Sequence, residues 1–193
     1  MDRPITVVCG FGRCGSSLVM QMLAAGGMPC VGEAPAYEIP EVMNLPASWE
    51  FLEELPGKAV KILDPHLNTP KPGLVYRFVW VDRHPGEQAR SIAKFLQVIS
   101  GMAPLTRNDR KKLQRSLRKD RPLCLNLLAR LGGKPPLAIA FESILANPDV
   151  AGRRLSDFCG GLDSKAMAAV VRPRPPQCLP YMLEAELLKE AAS

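Results

Sequence analysis

A glycine-rich segment near the N-terminus has the composition of a phosphate-binding turn. Residues 10–17 read Gly-Phe-Gly-Arg-Cys-Gly-Ser-Ser, in outline the Walker A pattern GxxxxGK[ST]. Backbone N–H groups in such a turn, together with the N-terminus of the following helix, form a cradle for an anion. The segment therefore predicts a phosphate or sulfate site, and a glycine turn without a ligand is the simpler alternative.

The loop departs from Walker A at the position that matters most for a triphosphate. Walker A has a lysine directly after its last glycine, where it reaches the β- and γ-phosphates, but Ser16 stands there in this sequence. The nearest cation is Arg13, inside the loop. A kinase built this way would lack its main charge clamp. A phosphosulfate has less charge to hold, and Arg13 can meet its bridging oxygen.

A second polar pair follows an apolar run at residues 79–81. Arg83 comes just after this run, and Ser91 lies eight residues later on a predicted helix that begins near Pro85. The arginine fork suits a phosphate, and the serine lies about two helical turns along. Because ligands bind at the carboxyl ends of parallel strands, we expect both to bind one phosphate. The simpler alternative is an ordinary helix serine and a surface arginine, with Asp82 as the arginine's ion-pair partner.

These segments together resemble the PAPS-dependent sulfotransferase superfamily, whose donor is 3′-phosphoadenosine-5′-phosphosulfate (PAPS) and whose product is 3′-phosphoadenosine-5′-phosphate (PAP). The family's loop motif [KR]-S-G-[ST]-[ST] is matched by residues 13–17, with Cys14 in place of serine. Its 3′-phosphate motif, R-x-P and a serine eight residues after the arginine, is matched by Arg83 and Ser91. The resemblance implies that the 5′-phosphosulfate is held by the loop residues Gly12, Arg13, Cys14, Gly15, Ser16 and Ser17.

A third segment extends the resemblance to about residues 4–160. Residues 141–148 and 154–160 are similar to the family's F/Y-E-x-L-x-x-x-P and F-L-G segments, and Glu142 is expected to stabilise loops. The family's C-terminal R-K-G-x-x-G-x-W loop is not found. Residues 172–176, Arg-Pro-Arg-Pro-Pro, either supply cations in its place or form a rigid exposed tail. The chain is short for the family, so either acceptor-binding insertions are trimmed or the activity has been lost.

Sulfuryl transfer needs a residue that takes the proton of the acceptor. Residues 28–33 resemble the G-E segment of tyrosylprotein sulfotransferases, which makes Glu33 the first candidate base. Asp64 and His66, after the second predicted strand, are its rivals, and Lys61 in that strand could aid the leaving group. The simpler interpretations are a solvated loop carboxylate at Glu33 and a turn-capping histidine at His66.

Alternating apolar runs and helical segments predict how these residues are positioned. We expect a three-layer α/β fold of the P-loop NTPase-like, sulfotransferase type, with a central parallel sheet covered on both faces. Strands are predicted at residues 5–9, 59–63, 74–81 and 137–141. Helices are predicted at residues 16–25, 48–55, 85–99, 148–159 and 181–192, with Ser48 capping the second of these and Thr106 capping a basic helix that Pro122 ends or divides. Residues 1–193 are expected to form a single domain with a peripheral tail from residue 172.

The net charge of +6 is concentrated in one segment. Residues 107–121 contain eight Lys/Arg and two Asp, and 8 − 2 = +6 is the whole excess. The segment could hold an anionic acceptor, either a small molecule or a polymer, or attract the donor by charge. A solvated helix face docked through Leu113 and Leu117 is the simpler alternative. No aromatic residue lies among the charges, so stacking on nucleic acid is not supported.

The remaining composition restricts the class of protein. The sequence contains no run of 18 apolar residues, so no membrane span is predicted. The N-terminus also lacks the pattern of a signal peptide. The six cysteines form no CxxC pair and only two histidines exist, so we expect no zinc site and a reducing, cytoplasmic location. Nothing in the sequence indicates an oligomeric state.

The leading hypothesis is an enzyme that transfers a sulfuryl group from PAPS to a hydroxyl or amine without a divalent metal, since no Walker B aspartate is evident. One alternative is a P-loop kinase of a small metabolite. Another is a degenerate nucleotide-binding protein that binds a partner through its basic helix.

Overall fold

The computed structural model describes residues 3–43, 45–99 and 101–180. Within them, a parallel sheet has the strand order β2-β1-β3-β4. Its strands are β1 (Ile5–Gly10), β2 (Ala59–Leu63), β3 (Tyr76–Asp82) and β4 (Leu137–Ala140). Every residue of β1 is buried, as expected for a central parallel strand covered on both faces. The predicted α/β fold with a central parallel sheet is confirmed.

Helices cover the sheet on both faces. Those of the described residues are α1 (Ser16–Ala25), α2 (Pro40–Met43), α3 (Glu50–Glu53), α4 (Pro85–Ile99), α5 (Arg107–Gly132), α6 (Phe141–Ala146), α7 (Pro148–Cys159) and α8 (Ser164–Ala169). One apolar cluster packs α1, α7 and α8 against Val8 and Val79 of the sheet. The other packs α5 against Val7, Phe78 and Trp80 on the opposite face. These two clusters place the sheet in the middle of three layers.

Most predicted elements have the expected bounds, and the differences lie at their ends. Residue 141 starts α6 instead of ending β4, and the helices α2, α6 and α8 were not predicted. The helix predicted at residues 48–55 is only the short α3, and Trp49 is its N-cap. The prediction that Ser48 caps it is wrong, because the Ser48 hydroxyl donates to the carbonyl oxygen of Glu41 at 2.5 Å.

The basic helix α5 continues through Pro122, so the expected break there is wrong. Proline inside a helix costs about 3 kcal/mol, and burial on both sides of it offsets this cost. Leu117 precedes the proline, Cys124 and Leu128 follow it, and all three are buried in the core. The predicted cap is confirmed: Thr106 and Asp109 form a reciprocal capping box.

The ion pair predicted between Asp82 and Arg83 is also wrong, because Asp82 pairs with α5. Arg121 donates to both carboxylate oxygens of Asp82, at 2.7 Å from Nε and 2.6 Å from the terminal nitrogen. The indole N–H of Trp80 donates to the same carboxylate at 2.7 Å. This pairing fixes α5 at the end of β3, and it leaves Arg83 to make other contacts.

Two further features are the polarity of the helices and the state of the cysteines. No helix in the described ranges is both long and apolar enough to cross a bilayer. The six cysteines are all free. The helix predicted at residues 181–192 lies outside the described residues, and the single domain stays a prediction.

We expect Leu128→Ala to lower the free energy of unfolding by about 2–5 kcal/mol, because it opens a cavity in the core. Leu123→Ala is the matched control on the same helix, since Leu123 is 59% exposed whereas Leu128 is fully buried. Urea denaturation measures both. Equal effects would show that α5 does not pack as one continuous helix beyond Pro122.

Candidate functional site

The glycine loop joins β1 to α1, and close packing requires two of its glycines. A Cβ at Gly10 would lie 2.7 Å from both the Cys14 sulfur and the Val81 carbonyl oxygen. A Cβ at Gly15 would lie 2.4 Å from the ring of Phe141, and this residue has φ +103°. Gly15 is also the N-cap of α1, without a side-chain cap. The helix N-terminus therefore opens directly onto the loop, as an anion cradle requires.

Side chains outside the loop hold the carbonyls of three successive loop residues. The amide of the buried Gln88, on α4, donates to the carbonyl oxygens of Phe11 at 3.1 Å and Gly12 at 3.0 Å. Arg83 donates to the carbonyl oxygen of Arg13 at 3.0 Å. These bonds fix the loop in place and direct its carbonyl oxygens toward the protein, so that they do not face an incoming anion.

Arg13 brings the two predicted phosphate-binding residues together. Its carbonyl oxygen accepts from Arg83, and its Nε donates to the Ser91 hydroxyl at 3.3 Å. The guanidinium also lies 5.4 Å from the centroid of the Phe95 ring on α4. The structure therefore places Arg13, Arg83 and Ser91 at one point, where the carboxyl ends of β1 and β3 meet α4.

Arg83 has an unusual environment for a cation. Burial lowers its pKa, and its Nε is buried without a hydrogen-bond partner among the described residues. Its guanidinium lies 4.7 Å from the centroid of the Phe141 ring, and that of Arg174 lies 5.4 Å from the same centroid. A buried donor without a partner costs about 1–3 kcal/mol, and an anion bound here would remove that cost.

The C-terminal tail crosses α4 beside this arginine pair. The backbone N–H of Cys178 donates to Glu87 at 2.9 Å, and Lys94 donates to the carbonyl oxygen of Leu179 at 2.6 Å. Of the two alternatives for residues 172–176, the structure favours the one in which the tail supplies a cation, through Arg174.

Lys61 is buried at the other side of the loop and donates to three groups in two segments. It donates to the Ser17 hydroxyl at 3.2 Å, to a carboxylate oxygen of Glu38 at 3.1 Å, and to the carbonyl oxygen of Ala36. Its side chain is 2% exposed, whereas that of Glu38 is 71% exposed. The lysine thus connects the start of α1 to the loop over residues 36–38 and holds a carboxylate near the glycine loop.

The segment after α1 returns along β2, at the edge of the sheet. The N–H of Val31 donates to the carbonyl oxygen of Ala59 at 2.9 Å, and the N–H of Ala59 donates to that of Pro29 at 2.7 Å. Glu33 is exposed, and it does not line the cavity described below. The role of Glu33 as the base stays a prediction, and Glu38 is the carboxylate of this segment that lines the cavity.

The two rival candidates differ in environment. Burial raises the pKa of Asp64, and the nearby His66 and the Gly12 N–H oppose that rise. His66 is exposed. Its Nδ1 lies 3.4 Å from the Cys124 sulfur, and its ring meets that of Phe11 edge-on at 5.9 Å. Asp64 and His66 both line the cavity.

Backbone strain also falls at this site. Arg13, Tyr37 and Asp64 have φ values of 63°, 54° and 51°, a region that costs a non-glycine residue about 1–2 kcal/mol. They lie in the glycine loop, next to Glu38, and directly after β2. Strained residues of this kind cluster at functional sites, so all three segments carry this mark of a binding site.

Cys14 differs from the serine of the loop motif, and it is fully buried. Burial raises the pKa of its thiol to about 11. The side chain is therefore a neutral packing group under Gly10 at neutral pH, and only the backbone of Cys14 is available to an anion.

A cavity of about 720 Å³ opens from the loop on the side of Lys61, a volume in the usual range for small-molecule sites. Arg83 and Ser91 do not line it. Its apolar wall consists of Phe11, Ile39, Pro40, Val42, Met43, Leu63, Leu67, Ile92, Phe95, Leu113 and Leu117. Its polar and glycine residues are Gly12, Arg13, Gly15, Ser16, Ser17, Glu38, Lys61, Asp64, His66, Asn68, Ser116 and Asp120.

Sequence reasoning missed Gln88 and Glu38, and it did not predict that Arg174 lies at the same ring as Arg83. Gln88 lies on α4, five residues after Arg83. Nothing in the sequence indicates that its amide is buried. Glu38 lies five residues after the Gly-Glu pair that drew attention to Glu33. In the described ranges, no group of three or more His, Cys, Asp or Glu could hold a metal ion. Independence of a metal stays a prediction.

Solved sulfotransferases have this architecture. The chain matches mouse sulfotransferase SULT7A1 complexed with PAP with a TM-score of 0.61 and 12% identity, over 88% of this chain and 65% of that protein, so it spans about two thirds of the mouse protein. It matches the sulfotransferase domain from the curacin biosynthetic pathway with a TM-score of 0.51 and 15% identity, over 98% of this chain and 96% of the domain. No family model and no curated protein sequence matches the chain. The chain therefore has the sulfotransferase fold that its motifs predicted.

We expect Gly15→Ala to destabilise the protein and to abolish binding of an anion at the loop. The added methyl group would clash with Phe141, at about 1–3 kcal/mol for overpacking, in addition to about 1–2 kcal/mol for the left-handed backbone. Gly27→Ala is the matched control, because Gly27 has φ +93° but nothing within 4 Å of its Cβ position. Thermal unfolding and PAP titration of both variants measure the difference, and equal losses of stability would contradict the close contact with Phe141.

Proposed function

We propose that this protein transfers a sulfuryl group from PAPS to a hydroxyl or amine acceptor. The observation that carries the proposal is the buried Nε of Arg83, which lies beside the glycine loop and has no hydrogen-bond partner among the described residues. A loop that holds one anion and an arginine that requires a second fit a nucleotide with phosphates at both its 5′ and 3′ positions. The sulfotransferase fold supports the proposal.

The residues present suit the donor's two anionic ends. Arg83 and Ser91 would hold the 3′-phosphate, with Arg174 adding charge from the tail. The amides of residues 14–17 and the N-terminus of α1 would hold the 5′-phosphosulfate, together with Arg13. PAPS, when bound, supplies the sulfuryl group and a stable leaving phosphate. Without the donor, Arg13 donates a hydrogen bond to Ser91. We infer that its guanidinium turns from Ser91 toward the loop when the donor binds.

Glu38 is the side chain we assign as the base. Its carboxylate lines the cavity next to the loop, is held by Lys61 at 3.1 Å, and is largely exposed, so an acceptor can reach it. The acceptor oxygen or nitrogen forms the new bond to sulfur while its proton passes to Glu38. The bond between sulfur and the bridging oxygen breaks, and its electron pair leaves with the phosphate. Arg13 and the loop amides stabilise the charge that develops there.

The two alternative functions, a kinase and a degenerate binding protein, would need different residues at the site. A kinase needs a cation to meet the γ-phosphate, and Ser16 stands where Walker A has lysine. A degenerate binding protein would have no use for an exposed carboxylate held by a buried lysine beside the loop. Independence of a divalent metal and a cytoplasmic location belong to the same proposal, and activity abolished by EDTA and restored by Mg²⁺ would favour the kinase.

We expect PAP to raise the melting temperature much more than AMP does, because only PAP carries the 3′-phosphate that Arg83 would bind. A ligand at 100 times its Kd adds about 2.7 kcal/mol of stability. Arg83→Ala should weaken PAP binding by about 1.5–3 kcal/mol, as for a charge-assisted hydrogen bond. Calorimetric titration measures that loss.

Arg118→Ala is the matched control, since Arg118 is an exposed cation of α5 outside the cavity. It should change PAP affinity little. Equal melting shifts with PAP and AMP, or equal losses in the two variants, would remove the basis for a 3′-phosphate site.

We expect Glu38→Gln to retain PAP affinity and to lose about 10²–10⁴-fold in transfer rate, the usual effect of removing a positioned base. Glu33→Gln is the matched control in the same loop, with Asp64→Asn and His66→Ala as further comparisons. Transfer of labelled sulfate from PAPS measures the rates. Should Glu33→Gln be inactive and Glu38→Gln turn over normally, the base would be the residue that the sequence resemblance indicates.

A further inference from the structure

The cavity at the loop has a composition that restricts the acceptor, provided that the proposed sulfuryl transfer is correct. It lies on the Lys61 side of the loop, and the residues assigned to the 3′-phosphate do not line it. Arg83 and Ser91 therefore lie outside the cavity, whereas Arg13 lines it. A molecule in the cavity would approach the loop from the side of Glu38, where we place the base.

The basic segment does not contribute its charge to this cavity. The residues of α5 that line it are Leu113, Ser116, Leu117 and Asp120, which share one helix face by their 3- and 4-residue spacing. None of the eight Lys/Arg of residues 107–121 is among them. Two of these basic residues, Lys112 and Arg115, are exposed to solvent.

The charges inside the cavity disfavour an anion. Three carboxylates line it: Glu38, Asp64 and Asp120. The cations that line it are Arg13 and Lys61, both at the donor loop. An anionic acceptor would be attracted only by these two cations, at the place where the negative charge of the donor must lie. The carboxylates would repel it elsewhere in the cavity.

The apolar wall extends to the mouth of the cavity. Met43 and Leu67 both line the cavity, and they are 72% and 67% exposed. Large apolar side chains that remain exposed around a cavity mark a binding site for an apolar molecule. Phe95 and Leu113 face the same space from α4 and α5.

We propose that the acceptor is an uncharged, mainly apolar alcohol or phenol, with its hydroxyl at Glu38 and its hydrocarbon part against Phe95, Leu113 and Leu117. The basic face of α5 does not bind the acceptor. The anionic acceptor considered from the sequence therefore gives way to an apolar one.

A series of 4-alkylphenols tests the proposal with labelled PAPS as donor. Each added methylene should raise kcat/KM about fourfold until the cavity is full, since a buried methylene contributes about that factor. A carboxylate in place of the terminal methyl group should lower kcat/KM at least tenfold. N-desulfated heparin, an anionic polymer, should accept no sulfate.

Two variants separate the cavity wall from the basic face. Leu113→Ala should reduce the gain per methylene and lower kcat/KM for 4-butylphenol about fivefold, with PAP affinity unchanged. The double variant Lys112→Ala/Arg115→Ala is the matched control on the same helix and should leave the alkylphenol series unchanged.

The outcomes distinguish this inference from the proposed function. If PAP gives no more stabilisation than AMP, the proposed function fails and the inference fails with it. If PAP binds but no alkylphenol accepts sulfate or binds the PAP complex in a thermal-shift assay, the inference alone is overturned. It is likewise overturned if N-desulfated heparin is the better acceptor and the double variant abolishes its sulfation.

Discussion

The hydrogen bond from Arg83 to the carbonyl oxygen of Arg13 connects the end of β3 to the glycine loop. It places a guanidinium in a position where burial lowers its pKa and where its Nε has no hydrogen-bond partner within the described part of the chain. A protein retains such an arrangement at a cost to stability, and an anion at this point would offset it. The bonds of Gln88 to the loop, the contact of Phe141 with Gly15, and the path of the tail all support the same geometry.

Local patterns in the sequence predicted the part of the site that local structure determines. The loop at residues 10–17, the pair Arg83 and Ser91, and the strands that carry them could be identified because each depends on neighbours in sequence. The covered parallel sheet follows from apolar runs with helices between them. Arg13 joins these two motifs in space, because β1 and β3, the strands that the motifs follow, are neighbours in the sheet.

Contacts between distant residues could not be predicted. Arg121 pairs with Asp82 from 39 residues away, so the adjacent Arg83 was the natural but mistaken partner. Lys61 pairs with Glu38, which is 23 residues away in the sequence, and holds this carboxylate of the loop at the site. Pro122 remains within α5 because Leu117, Cys124 and Leu128 are buried on both sides of it. This tertiary packing outweighs the low helix propensity of proline. In each case packing or an ion pair overrode a rule that is valid for isolated segments.

A crystal structure with PAP tests most directly what Arg83 binds. We expect the 3′-phosphate within about 3 Å of the Arg83 Nε and the Ser91 hydroxyl, with the 5′-phosphate over the amides of residues 14–17 and its open side toward Glu38. A structure in which PAP binds with its 3′-phosphate in solvent and the Arg83 Nε still without a partner would contradict it.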